Sequence, residues 1–333
     1  MDLRTTYLGL TLPHPLVCGA SPLTSDMDLV LKLEDAGAAA IVMHSLFEEQ
    51  VVESRMRRPS LRPQPRAPAN GPRPAGSGYD VTPDGYLEHL LRVKRRVAVP
   101  IIASLNGTTP EGWLQYARAL ERAGADALEL NFYNVALDAA ETAPQIEQRL
   151  IDVVAVVTES VSIPVAVKLS PFFTSLPNVA MRLERIGARG LVLFNRFYQA
   201  DIDPETRGTT LTLQLSDSLD LLLRLHAIAT LSGRFRLSFA LTGGVHEPID
   251  VVKAVMAGAD AVQVTSTLLR HGPSRLTYLR REFEKWCAAH DHESLDAFKG
   301  CAAVARPGRA RFERAGYRAL LRSWTLEQLP VGD

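Results

Sequence analysis

A short repeated sequence motif constrains the fold of this chain more than any other feature. In this motif a glycine between small residues precedes an apolar run. Its four copies occupy residues 36–43, 123–130, 186–193 and 257–264. In each copy the glycine can take the left-handed conformation that ends a helix, and the apolar run has the length of a buried strand. Repeated helix-to-strand units predict a parallel sheet covered by helices.

A second repeated sequence motif places proline at the first position of a strand, where the missing N–H costs no hydrogen bond between neighbouring strands. It occurs at Val97–Ile102 and at Val161–Ala166. Eight strands are predicted in all, centred on Leu16–Gly19, Ile41–His44, Ile101–Leu105, Leu128–Asn131, Val165–Leu169, Leu191–Asn195, Phe239–Thr242 and Ala261–Thr265. Helices are predicted at Tyr86–Arg96, Trp113–Arg122, Ile146–Glu159, Val179–Ile186, Leu219–Leu231 and Ile249–Met256. Eight such units favour a closed (β/α)₈ barrel, the TIM barrel, over an open doubly wound sheet, since no GxGxxG fingerprint opens the first helix.

Length and composition agree with a single α/β barrel. The chain has 333 residues, and such a barrel needs about 250 plus insertions. Hydrophobic residues make up 46% and charged residues 22%, which excludes a disordered protein. The 37 basic and 37 acidic residues cancel, which argues against a nucleic-acid partner. Three widely separated cysteines exclude a disulfide scaffold and a cysteine-built metal cluster.

Membrane association is not expected. No apolar run reaches the roughly 18 residues that a spanning helix needs, and the first residues lack the pattern of a secretory signal peptide. We therefore expect a cytoplasmic protein without membrane contact, folded as one barrel domain over residues 1–333.

Three regions depart from a regular barrel. Residues 48–82 form a Pro/Arg-rich, lid-like insertion, which is either a solvated loop or an ordered substrate cover. Alternating Thr and Leu at Thr210–Leu215 predict a strand of a small hairpin. After the barrel and a helix at Arg275–Ala289, residues 291–333 predict a C-terminal helical extension with a basic helix near Arg309–Arg322.

The predicted carboxyl ends of the strands are polar and rich in amides, and in a barrel of this type the chemistry occurs at those ends. The residues there are Ala20, Ser21, His44, Ser45, Asn106, Gly107, Asn131, Lys168, Asn195, Thr242, Gly243, Gly244, Thr265 and Ser266. Glu129 is the only nearby acid. A metal hydrolase needs several His or Asp ligands and a glycosidase needs two carboxylates, so neither is predicted and no metal site is expected.

Two segments predict a phosphate site. Thr242, Gly243 and Gly244 follow the seventh strand, and Thr265 and Ser266 follow the eighth. Glycine lets the backbone approach an anion, and a following helix directs N–H groups at it. The phosphate can belong to a substrate or to flavin mononucleotide (FMN).

Four further residues predict ligand contacts. Lys168 ends an apolar strand, where it can form a Schiff base, pair with a phosphate or stabilise a developing anion. Asn131, Asn134 and Asn195 each offer a donor and an acceptor in one plane, which suits a flat ring with alternating C=O and N–H groups.

The order of these motifs resembles the dihydroorotate dehydrogenase family over roughly residues 5–290. The matching segments are Gly19–Pro22, Glu129–Val135, Val167–Pro171, Thr242–Val245 and Gly258–Val264. The resemblance implies an FMN-containing (β/α)₈ barrel that oxidises dihydroorotate to orotate in pyrimidine biosynthesis by hydride transfer to flavin N5. It also implies a soluble homodimer and an electron acceptor outside the chain, which can be a separate electron-transfer subunit.

The resemblance also implies roles for the residues at the strand ends. Ala20, Ser21 and Asn106 would contact the flavin, and Lys168 would lie near its N1/O2 edge, where a cation stabilises the reduced ring. Asn131, Asn134 and Asn195 match positions that contact flavin or orotate. The residues that would hold the FMN phosphate are Thr242, Gly243, Gly244, Thr265 and Ser266.

The chain departs from the family pattern around the general base. The usual Asn-x-Ser-Cys-Pro-Asn segment is two residues shorter here, at Asn131–Asn134, and its Cys or Ser base is missing. Tyr133 and His44, which stands where the family has a lysine, are the candidate catalytic groups. The glycine-rich segment after the sixth strand is replaced by Leu213–Ser216.

Three hypotheses follow. The first is an FMN-dependent dihydroorotate oxidoreductase. The second is a related FMN oxidoreductase that acts on a different cyclic amide or carboxylate, which the missing base favours. The third is a flavin-free barrel that binds a phosphorylated metabolite as an isomerase, a lyase or a binding protein, which the phosphate motif supports equally well.

Overall fold

Eight parallel strands close into a barrel in the computed structural model, which describes residues 1–50, 82–107, 110–196, 200–210, 213–304 and 314–323. The barrel strands are β3 (Leu16–Cys18), β4 (Ile41–Phe47), β5 (Ile101–Asn106), β6 (Ala127–Asn131), β7 (Val165–Leu169), β8 (Gly190–Leu193), β11 (Ser238–Thr242) and β12 (Ala261–Val264). Neighbours in the ring follow the order of the chain, and the ring closes between β12 and β3. The predicted (β/α)₈ barrel is confirmed.

Helices alternate with these strands as the sequence predicts. They are α1 (Met27–Asp35), α2 (Pro83–Arg96), α3 (Pro110–Arg122), α4 (Ala143–Ser160), α5 (Leu176–Arg185), α6 (Leu221–Leu231), α7 (Pro248–Ala257), α8 (Ser266–His271), α9 (Ser274–Ala289) and α10 (Arg314–Ser323). Short 3₁₀ helices occur at Pro22–Ser25, Ser218–Asp220 and Leu295–Ala297. Helices α2, α4 and α5 begin about one turn earlier than predicted, because proline occupies the first or second position of each.

One layer of the barrel interior takes a small or β-branched residue from each strand. This inner layer consists of Val17, Val42, Ile102, Ala127, Ala166, Val192, Ala240 and Ala261. Its four alanines leave room for Tyr7 and Leu12, which come from the N-terminal hairpin of β1 (Thr5–Tyr7) and β2 (Leu10–Leu12). Thr5 Oγ1 donates a hydrogen bond to Asp260 O, just before β12, so the hairpin plugs the N-terminal end of the barrel.

The small hairpin after β8 occurs earlier than predicted. It pairs β9 (Asp201–Asp203) with β10 (Gly208–Thr210), whereas the sequence predicts a strand over Thr210–Leu215. The Asp203 carboxylate accepts hydrogen bonds from the backbone of Glu205 and Thr206, and this turn fixes where the chain reverses. Residues 213–215 have no strand partner among the described residues, and residues 211 and 212 of the predicted strand lie outside them, so no strand is observed at 213–215.

The two predicted additions to the barrel are described in part. Residues 51–81 of the insertion at 48–82 lie outside the described residues, so the choice between loop and lid stays a prediction. Of the extension at 291–333, residues 291–304 and α10 are described, and Gly300 N donates to Val255 O of α7. Within the described ranges, every helix is too short or too polar to cross a membrane.

Gly258 ends α7 in the left-handed conformation, at φ 112°, and a Cβ there would overlap the side chain of Ser232. We expect Gly258→Ala to lower the free energy of unfolding by roughly 3 kcal/mol or more, because backbone strain and a steric clash add. Gly9→Ala is the matched control, since Gly9 also has a positive φ, of 79°, but has open space around it. Urea denaturation should show a loss of about 1 kcal/mol for the control. Equal losses in the two variants would contradict the clash.

Candidate active site

A cavity of about 250 Å³ opens at the carboxyl ends of the barrel strands. The residues expected at the strand ends from the sequence that line it are Ala20, Ser21, Ser45, Asn131, Lys168, Asn195, Thr242, Gly243, Thr265 and Ser266. It is also lined by Pro22, Phe47, Phe194, Arg196, Leu213, Leu215, Ser216, Arg224 and Leu269. His44, Asn106, Tyr133, Asn134 and Gly244 do not line it.

One end of the cavity has the features of an anion site. Gly243 and Gly244 have φ values of +86° and +82°, and a Cβ on Gly244 would overlap the backbone of Leu221 at the start of α6. Opposite this turn, the Ser216 hydroxyl donates to Ser266 Oγ at 2.9 Å and accepts the Gly244 N–H at 3.1 Å. Hydroxyl groups and closely approached backbone amides therefore meet at this end, which is the arrangement that binds phosphate.

Arg224 also belongs to this end, and the sequence analysis missed it. Its guanidinium is buried, and Nε donates to Thr242 O at 2.9 Å. Burial lowers the pKa of Arg224, while Asp220 acts in the opposite direction. Arg224 lies on the buried face of α6 with Leu221 and Ile228. An arginine spaced with the apolar positions of a helix is the signal that predicts a buried partner for it.

The floor of the cavity holds a buried ion pair. Lys168 Nζ lies 3.2 Å from Glu129 Oε1, and Glu129 Oε2 accepts from Gln263 Nε2 at 2.6 Å. Each of the three residues lies two positions beyond an inner-layer alanine, so strand alternation directs all three side chains into the barrel. Lys168 lines the cavity and Glu129 lies beneath it. This pairing favours a charge-stabilising role for Lys168 over a Schiff base.

Two of the three predicted asparagines form a pair. Asn195 Nδ2 donates to Asn131 Oδ1 at 2.6 Å, and both side chains line the cavity. Among the described residues, the pairing leaves the Asn131 amide N–H groups and Asn195 Oδ1 available to a ligand. Asn134 is half-buried outside the cavity lining, and its Nδ2 has no hydrogen-bond partner among the described residues.

The structure does not bring His44 to the cavity, contrary to the sequence prediction. The pairing of β4 with β5 shifts register between Val42 and Ser45, so Ser45 takes the inward position and its Oγ lies 2.8 Å from Ser104 Oγ. The ring of His44 instead lies against Thr24, with Nδ1 3.4 Å from Thr24 Oγ1, and 4.9 Å from the ring of Tyr86. Burial, and then the neighbouring His89, lowers the pKa of His44 to about 4.

The other candidate base, Tyr133, is half-buried on the loop after β6 and does not line the cavity. Among the described residues of the lining, the ionisable side chains are Lys168, Arg196 and Arg224, and the lining contains no Cys, His, Asp or Glu. The cavity is therefore suited to anions. Asn106 lies on β5 beside Asn131 in the sheet register, and it is buried.

A TIM barrel whose cavity at the carboxyl ends of the strands holds a buried lysine, two arginines and paired amides has the site position and the polar lining of a barrel enzyme. The sequence profile of the dihydroorotate dehydrogenase family matches residues 76–286, which is more than half of the chain. The chain belongs to this family, as the sequence motifs predict. The family consists of flavin-dependent oxidoreductases that act on CH–CH groups, and the predicted enzyme class is confirmed.

Individual relatives support the same assignment. The chain is 26% identical over 313 residues to the catalytic subunit of dihydroorotate dehydrogenase B (NAD(+)) from Methanothermobacter thermautotrophicus, covering 90% of this chain and 98% of the relative. The corresponding subunit from Thermoplasma acidophilum is 26% identical over 281 residues, or 82% and 89% of the two chains. Dihydroorotate dehydrogenase A (fumarate) from Limosilactobacillus reuteri is 34% identical over 174 residues, or 50% and 56%.

His44→Gln tests the placement of His44. In the folded protein its pKa is about 4, against an ordinary value of 6.5. Because the unfolded chain takes up a proton between these pH values and the folded protein does not, His44 should remove about 3 kcal/mol of stability as the pH falls from 6.5 to 4. We expect His44→Gln to flatten this part of the curve of unfolding free energy against pH.

The matched control is His271→Gln, at an exposed position, which should leave the pH dependence of the unfolding free energy unchanged. An unchanged curve in His44→Gln would show that the imidazole is not buried as described.

Proposed function

We propose that the chain is an FMN-dependent dehydrogenase that oxidises dihydroorotate, or a similar carboxylated cyclic amide, by hydride transfer to flavin N5. The observation that carries this proposal is the single cavity that joins three kinds of group. It has an anion site around Gly243 and Ser266 at one end, Lys168 on its floor, and the pair Asn131–Asn195 in its wall. The family assignment favours this oxidoreductase over a flavin-free barrel.

The residues present fit FMN. The Ser21 hydroxyl is buried in the cavity lining with no hydrogen-bond partner among the described residues, so it can bond to a ligand. Ala20 and Ser21 would contact the flavin ring. The phosphate would be held by residues of the two loops after β11 and β12. These are Thr242, Gly243, Thr265 and Ser266.

Bound FMN would supply the hydride acceptor for the reaction. Lys168 would stabilise the negative charge that develops beside it, and Glu129 would keep the ammonium in position. Asn131 and Asn195 would orient the substrate ring through its C=O and N–H groups.

The cavity lining constrains which group can act as the general base. The described cavity lining has no Cys, His, Asp or Glu, and Tyr133 remains the candidate, on the loop next to Asn131 and Asn134. An ordinary Tyr, with a pKa of about 10, needs strong tuning to accept a proton near pH 7. This composition of the lining favours a second candidate function, an FMN oxidoreductase that acts on a different ring.

The proposal extends to partners. The relatives from Methanothermobacter thermautotrophicus and Thermoplasma acidophilum are named as catalytic subunits, which supports a separate electron-transfer subunit for this chain. The homodimer that the family resemblance implies belongs to the same proposal.

An anaerobic absorption spectrum of the FMN-reconstituted protein, recorded before and after adding dihydroorotate, tests the reaction. We expect the visible flavin band to bleach. Lys168→Met should slow bleaching roughly 100-fold, because it removes the charge that stabilises the transition state. Lys253→Met, an exposed lysine on α7, should match the wild type.

The outcomes separate the hypotheses. A bound flavin that dihydroorotate does not bleach would favour the second candidate function. A protein that does not bind FMN would contradict the proposal and favour a phosphorylated metabolite as the ligand.

A further inference from the structure

The anion end of the cavity carries an excess positive charge. Arg196 and Arg224 both line the cavity there, and they share the carboxylate of Asp220. Arg196 Nη1 lies 3.2 Å from Asp220 Oδ2, and Arg224 Nη1 lies 3.8 Å from Asp220 Oδ1. We call these three residues the Arg–Asp–Arg cluster. Two guanidinium groups and one carboxylate leave a net charge of about +1.

Arg224 is the fixed member of the cluster. Its Nε donates to Thr242 O at 2.9 Å and its Nη1 donates to Asp220 O at 2.5 Å. Both acceptors are neutral backbone carbonyls, so they orient the guanidinium without neutralising it. The remaining nitrogen, Nη2, makes no hydrogen bond to any described residue, and it lies 3.1 Å from the point that a Cβ on Gly243 would occupy. This nitrogen is therefore held beside the glycine turn of the anion site.

The backbone part of the anion site is partly occupied by the protein itself. The Gly244 N–H donates to Ser216 Oγ, and the Ser216 N–H donates to Ser266 Oγ at 3.2 Å. Ser216 belongs to the segment Leu213–Ser216, which contains no glycine. Because these amide groups already have partners, backbone amides alone leave a phosphate dianion incompletely bound. A side chain that brings both charge and hydrogen-bond donors compensates for this.

We propose that Arg224 binds the phosphate group of FMN through a charge-assisted hydrogen bond, and that it makes the chain select FMN over riboflavin. The inference rests on the proposed FMN site and assigns a side-chain ligand to its phosphate end. Arginine suits this position because its planar guanidinium keeps its charge when buried and binds phosphate with directed donors.

The test compares the dissociation constants of FMN and riboflavin for the full-length apoprotein, measured by quenching of flavin fluorescence. We expect Arg224→Gln to weaken FMN binding roughly 10- to 100-fold, as loss of a hydrogen bond to a charged group does, and to leave riboflavin binding unchanged. Arg224→Lys keeps the charge and should retain part of the preference for FMN. The matched control is Arg234→Gln, an exposed arginine just after α6, which should not change the ratio.

A second variant keeps the test decisive if Arg224→Gln fails to fold. Asp220→Asn removes the one carboxylate of the Arg–Asp–Arg cluster while keeping its shape, so it should raise the preference for FMN several-fold. An unchanged ratio of the two dissociation constants in folded Arg224→Gln, or in Asp220→Asn, would overturn the inference. A wild-type protein that binds neither flavin would instead overturn the proposed function.

Discussion

The candidate site depends on closure of the sheet between β12 and β3. The Gly19 N–H donates to Val264 O at 3.0 Å, and Val264 is in register with Cys18. A Cβ on Gly19 would overlap Thr265 Oγ1, so a side chain at position 19 would displace the Thr265 hydroxyl from its place in the cavity lining. Closure thereby brings the start and the end of the barrel, residues 20–21 and 265–266, to one cavity.

Inside the closed ring, strand alternation separates an apolar layer from a polar one. Ala127, Ala166 and Ala261 pack in the apolar layer, and the polar residues two positions further along form the network of Glu129, Lys168 and Gln263. A buried ion pair contributes little net stability compared with an apolar core, although removal of one partner costs roughly 3–5 kcal/mol. The more direct consequence of the pair is functional, because it fixes a positive charge at the floor of the cavity.

The parts of the site that follow from the order of the strands and from the alternation of side chains along them could be predicted from the sequence. Lys168, Gly243 and Thr265 come at the ends of regular strands, so a correct barrel prediction places them at one end. His44 could not be placed in this way, because β4 shifts register after Val42 and a shift of one residue exchanges the two faces of a strand. The barrel prediction was insensitive to this shift, since each strand still occupies its place in the ring.

Contacts between segments that are far apart in the sequence could not be predicted either. The helical spacing of Arg224 indicates that it is buried, but it does not identify the acceptor of its hydrogen bond, Thr242 O, which is 18 residues away. The hairpin of β9 and β10 was placed too late along the chain because its turn is fixed by the Asp203 carboxylate, whereas strand propensity alone favoured the Thr–Leu alternation.

A crystal structure of the full chain grown with FMN is the most direct measurement of whether this cavity is a flavin site. We expect the phosphate beside Gly243, Ser266 and Arg224, and the flavin ring between Ala20–Ser21 and Lys168. FMN bound elsewhere on the barrel, or a cavity that stays empty at saturating FMN, would contradict the assignment of these residues to a flavin.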